Sequence, residues 1–257
     1  MTQGFFGSFL NRLVSTGDSA RVSGAPTSSN RASSFHLSWD IPAQPFVEIS
    51  AVCEVIEPPT VPMLYFWAMQ VSFMNQGSRI GGAHFGLQFH PQYPGNGAVN
   101  WGGYRDGAGE LEGSVSELPS ALNNINTRTY PWQPGRRYRH RVYRSPEQGW
   151  RGSITDLENG VETVVRDLWV DADSLASPMV WSEVFAHCDH QSAAVRWSEL
   201  TGINTQGEQL AARSVRLNYQ THADGGCANT NTASDGVGFV QRTNTERINP
   251  TGAQLSL

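Results

Sequence analysis

His84, Gln88 and His90 stand at even spacing in the stretch HFGLQFHP. Side chains on an extended chain return to the same side every two residues, so these three share one face of a strand. Imidazole and carboxamide groups bond hydroxyls and carboxylates, and a histidine can serve as a base near neutral pH. The set is expected to floor a polar groove; the competing reading is the solvated outer face of a sheet. Trp101, Tyr104, Arg105 and Asp106 follow a glycine-rich turn. An aromatic ring covers sugar C–H groups while Arg and Asp bond hydroxyls, which is the mix a small-ligand site uses. With eight Trp in the chain, however, most must pack the interior. Arg137, Arg139 and Arg141 form a cationic stripe, with Arg151 across a turn. Guanidinium forks fit carboxylate and sulfate groups, so the stripe suits an acidic polymer unless nearby acids neutralise it.

Two further groups hold metal-ligand types. His187, Cys188, Asp189 and His190 are consecutive, but no third ligand follows at a recognisable spacing. Asp224, Asn229, Asn231 and Asp235 offer oxygens of the kind calcium accepts, without EF-hand spacing. No metal or other cofactor is expected, calcium being the alternative. There is no Gly-x-Ser-x-Gly elbow, dinucleotide fingerprint or metalloprotease helix, which leaves acyl transfer and nucleotide chemistry without support. All 18 basic residues are Arg. Without Lys there is no Schiff base and no phosphate loop of the Lys-bearing kind.

The formal charge of −5 argues against a nucleic-acid partner. Cys53, Cys188 and Cys227 are too few and too widely spaced for a disulfide framework or a zinc ribbon. One bridge, Cys188–Cys227, and three reduced thiols are both open. No apolar run reaches the length of a membrane span. The first residues, MTQGFFGSFLNRLVS, lack a basic start and a continuous apolar stretch, so they do not read as a secretory signal. Compartment and oligomeric state are not set by these features.

The elements that must position these residues are strands. Phe5, Phe6, Phe9, Leu10, Leu13 and Val14 repeat at helical spacing, which predicts a short amphipathic helix over 1–14. Residues 15–34 are rich in Ser, Gly and Thr and read as a linker to a single domain over 35–257. From Phe35 onward the period is two. Residues 47–55 alternate, with Cys53 on the apolar side. MLYFWAMQVSFMN at 63–75 is the strongest strand. Residues 132–156 read as a hairpin with Tyr138, His140 and Val142 on one face and the arginines on the other. Further strands fall at 161–170, 179–188, 194–200, 211–220 and 237–242, with a loop over 113–130. About a dozen strands with no long helix predict an all-β, antiparallel two-sheet sandwich of jelly-roll type.

The chain resembles the concanavalin A-like lectin/glucanase sandwiches. The resemblance rests on strand density, on HFGLQFHP at 84–91, and on WQPGRRYRHRVYR at 132–144 followed by GWRG at 149–152. It implies a curved sheet whose concave face holds a glycan. The catalytic E-x-D-x-x-E strand of the glucanases has no counterpart; Glu110 and Glu112 stand alone. Alginate-lyase sandwiches offer a second comparison. Gln88-Phe89-His90 is similar to their Q-x-H strand and Arg196–Leu200 to their R-x-E-L strand, but in reversed order and without the third strand. The resulting expectation is a non-catalytic lectin-like module for a glycan or acidic polysaccharide, bound by His84, Gln88, His90, Trp101, Tyr104, Arg105, Arg139 and Arg141. The alternatives are a polysaccharide lyase or glycoside hydrolase on the same fold, and a structural or assembly module.

Overall fold

A computed structural model describes residues 21–107 and 109–257. The predicted helix over 1–14 lies outside the described residues, as does the first part of the expected linker. Its described part is bonded into the fold: Thr27 N donates to Gly225 O at 3.0 Å and Gly24 N to an Asp189 carboxylate oxygen at 3.0 Å.

Seventeen strands account for the described architecture, with one 3-10 turn at Pro94–Asn96. In chain order they are β1 Ser33–Trp39, β2 Phe46–Glu57, β3 Tyr65–Asn75, β4 Ser78–Phe89, β5 Gly97–Arg105, β6 Gly109–Glu110 and β7 Thr127–Thr129. They continue as β8 Arg137–Arg144, β9 Trp150–Asp156, β10 Val161–Leu168, β11 Ser174–Val184, β12 Ala194–Asn204 and β13 Gln209–Ala211. The last are β14 Ser214–Tyr219, β15 Thr230–Ser234, β16 Phe239–Thr243 and β17 Gln254–Ser256. The fold is all-β and antiparallel, as the two-residue period predicts. Among the described residues no helix is long and apolar enough to cross a membrane.

One run of paired strands is β17–β14–β1–β11–β3–β4–β5, with β6 and β7 on β5. A second is β15–β16–β12–β2–β8–β9–β10, with β13 on β12. The runs meet where Leu175 pairs with Phe46. Both give alternate side chains to one apolar core: Phe35, Trp67, Phe85 and Trp101 from the first, Cys53, Trp150, Trp197 and Phe239 from the second. Each such large apolar side chain contributes about 1.5–3 kcal/mol on burial. Close approach is needed in places. A Cβ on Gly86 would lie 1.8 Å from Trp67 O, and one on Gly152 would lie 2.8 Å from the Trp101 ring.

His140 sits in this core, fully buried, with ring centroids 5.1 Å from Phe85 and 5.9 Å from Trp197. Burial pushes its pKa down to about 3, so it is a neutral packing group. Gln241 joins four strands from inside. It accepts from Ser182 Oγ at 2.9 Å and Trp197 Nε1 at 3.0 Å, and donates to Phe35 O at 2.7 Å. Cys188 and Cys227 form a disulfide, and Cys53 is a buried free thiol.

Candidate functional site

The face of the first run that points away from the main core carries a second set of side chains. Trp181 of β11 stands opposite His36 of β1 and Ala68 of β3. Phe66 stands opposite Glu183 and Gln88, and Gln70 opposite His84. Phe66, Ala68 and Trp181 form a small apolar cluster separate from the main core. The aromatic rings pack edge to face: Phe66–Trp181 at 4.9 Å, Phe66–His84 at 5.6 Å and His84–Trp181 at 6.0 Å, with His36 tilted against Trp181 at 6.1 Å. Trp181 Nε1 donates to Gln70 Oε1 at 3.1 Å. That bond fixes the carboxamide so that its NH2 is turned to the other side.

Glu183 of β11 places a carboxyl on this face, opposite Phe66. Its pKa is raised by burial, partly offset by a hydrogen bond from Asn30. Asn30 Nδ2 donates to Glu183 Oε1 at 2.9 Å. The Asn30 amide is itself oriented, since Oδ1 accepts from Ser28 Oγ at 2.9 Å and from Ala32 N at 3.2 Å. Glu183 Oε2 is left as the oxygen that can hold a proton. His36 and His84 are each pushed down to about 4 by burial, so both are neutral above that pH. Gln70 is four residues from the Glu183 register, roughly 13 Å along the strand, so the two do not share one water.

The residues expected from sequence divide among different surroundings. His84 belongs to this face. Gln88 does too, but it is 5% exposed and its Oε1 has no donor. His90 lies past the end of β4, where its ring meets Tyr93 at 4.8 Å. Trp101 is fully buried in the main core. Tyr104 accepts from Arg79 at 3.0 Å, Asp106 takes both of its bonds from Arg79, and exposed Arg105 donates to Trp169 O at 3.5 Å. Arg139 and Arg141 are on β8 in the other strand run. Arg137 and Arg139 both pair with Glu199, and Arg141 pairs with Glu48 at 2.8 Å and Glu162 at 3.0 Å. The stripe is therefore neutralised by acids from other strands.

The metal-ligand types are likewise engaged elsewhere. Cys188 is in the disulfide, His187 and His190 stack at 4.6 Å, and Asn231 accepts from the backbone of Ile248 and Asn249. Among the described residues no three His, Cys, Asp or Glu side chains gather as a metal set. A cavity of about 500 Å³ is lined by Pro45, Met74, Asp173 and Thr205, and Glu183 is not part of its lining. Its one carboxylate, Asp173, already accepts from Gln76 N at 2.7 Å and Ser174 Oγ at 2.7 Å. It offers no acid–base group of its own.

Sequence reasoning passed over Glu183, Trp181, Phe66, Gln70 and His36. The available signal was the alternation in PMVWSEVF, which places Trp181 and Glu183 together on one side of a strand and Val180, Ser182 and Val184 on the other.

No protein-family model and no curated protein matches the chain. Solved structures similar to it include scytalido-glutamic peptidase with a peptide-based transition-state analogue, at 10% identity over 87% of this chain and 100% of that one, TM-score 0.43. They also include SCP-B, an eqolisin peptidase in complex with the tripeptide Ala-Ile-His, at 8% identity over 87% and 100%, TM-score 0.43. The alginate lyase Aly36B is similar at 11% identity over 60% of this chain and 67% of that one, TM-score 0.27. The expectation of a non-catalytic lectin-like module is corrected at this point. The eight residues assigned to a glycan groove are dispersed over the core, a turn and both strand runs.

Proposed function

We propose that the chain is an acid–base enzyme, a hydrolase or lyase that cleaves an extended polymer on the face carrying Glu183. We read the two strand runs as the layers of a jelly-roll sandwich, with this face as its binding surface. The observation behind the proposal is Glu183: a part-buried carboxyl with a raised pKa, held by an oriented Asn30 and opposite Phe66, on the face that also carries Trp181 and the neutral His36 and His84. A carboxyl whose pKa is raised by burial holds its proton to a higher pH than an ordinary one, donates it to a leaving group and then serves as base in return. Among the described residues no second carboxylate acts on Glu183, so the paired-carboxyl chemistry of most glycoside hydrolases is not favoured. Single-carboxyl cleavage of a peptide or of a uronate polymer is favoured instead. The amide NH2 of Gln70 binds a neighbouring unit of the substrate, and the buried Phe66 and Trp181 pack beneath this surface and hold it in place.

The folded protein is to be incubated with denatured protein, polyuronate and neutral β-glucan between pH 3 and 8. New amine ends or unsaturated-uronate absorbance report cleavage. Glu183→Gln is expected to lower kcat/KM by about 100-fold or more with an unchanged circular dichroism spectrum. A variant with wild-type rate, or no cleavage of any polymer by the folded protein, sinks the proposal.

A further inference from the structure

Most described arginines have carboxylate or carbonyl acceptors for their donors, or stand in water. Arg166 of β10 and Arg128 of β7 instead keep buried N–H groups that no described residue accepts. Arg166 is 1% exposed. Its Nη1 donates to Ile125 O at 3.1 Å and Asn126 Oδ1 at 2.8 Å, while its buried Nε and Nη2 meet no acceptor among the described residues. Arg128 is half-buried, and its Nε is also buried without an acceptor. The two guanidinium groups repel each other: burial first and Arg128 second push the pKa of Arg166 down, with only a compensating pull from Glu110. Glu110 is exposed and forms no ion pair with either arginine among the described residues. Gly113 makes the room here, since a Cβ on it would lie 2.4 Å from Arg166 Nη2.

A buried guanidinium with unused donors beside a second cation is costly unless an anion supplies the missing acceptors. Planar guanidinium groups meet carboxylate and tetrahedral oxyanions through paired N–H donors. We propose that Arg166 and Arg128 form a binding site for an oxyanion, a carboxylate, sulfate or phosphate group. Half-exposed Arg128 is its entrance and Arg166 its floor. This site is independent of the role given to Glu183.

The test uses the full chain titrated with sodium sulfate, phosphate or acetate against sodium chloride at matched ionic strength. Tm is read alongside the Nε–Hε resonances of Arg166 and Arg128. A saturable rise of several degrees, with movement of the Arg166 resonance, is expected for at least one oxyanion and not for chloride. Arg128→Gln should lose both responses while melting normally in chloride. Arg166→Met is the second variant, and if it fails to fold, Arg128→Gln and the resonance shift still decide. Dextran sulfate and polyuronate form a further arm: saturation at tenfold lower anion concentration assigns the oxyanion to a polymer, equal saturation to a free ion. An equal rise in chloride, an undiminished rise in Arg128→Gln, or an unmoved Arg166 resonance overturns the proposal.

Discussion

Removing the Cys188–Cys227 disulfide is expected to cost the protein a large part of its stability through the unfolded chain. The bridge joins positions 39 residues apart, and the closed loop contains β12, β13 and β14. Chain-entropy arithmetic for a loop of that length gives about 4 kcal/mol at 25 °C. For a chain of this size each kcal/mol moves Tm by about 2–4 °C, so the expected loss is about 8–16 °C. The folded state around the bridge keeps its other bonds: Gly24 O accepts from Cys188 N at 2.8 Å, and Cys227 O accepts from Arg247 at 2.9 Å. The perturbation thus falls mainly on the denatured ensemble. The assay compares melting and urea titrations of the wild type with the double variant Cys188→Ala, Cys227→Ala. The denaturant slope should also rise, because the released chain exposes more surface when unfolded. A double variant that melts within about 2 °C of the wild type, with the same slope, would refute the reasoning.

Two further tests address the core. Gly86→Ala places a methyl carbon against Trp67 O at 1.8 Å, which backbone cannot accept without moving β3 from β4. The expected cost is about 3 kcal/mol or more, read as a lower urea midpoint. His140 is neutral in the fold and its pKa lies at about 3, so the unfolded chain takes up the proton first on acidification. Its contribution is complete above the ordinary histidine range and declines as pH falls toward 3. The loss at pH 5 is about 2 kcal/mol. His140→Phe should flatten the stability profile between pH 6.5 and 4, and an unaltered profile would show that His140 does not carry the acid sensitivity.

The chain order of types settled the strand character of the fold. Alternation in RYRHRVY put Tyr138, His140 and Val142 inside and Arg137, Arg139 and Arg141 outside, and β8 has that arrangement. Alternation also gave Cys53 an apolar side. A period of two distinguishes the faces of a strand; it does not say what lies over either face. Trp101 reads equally well as a sugar platform or as core, and only the packing of Gly152 and Phe85 against it decided for the core. The arginine stripe looks cationic until Glu199 and Glu48, distant along the chain, arrive beside it. Glu183 was invisible for the same reason. Its raised pKa and its partner Asn30 are set by burial and by a contact across 153 positions, and these exist only once β1, β11, β3 and β4 lie side by side. Local sequence sets backbone period and side-chain direction, while charge pairing, desolvation and proximity are properties of the assembled strands.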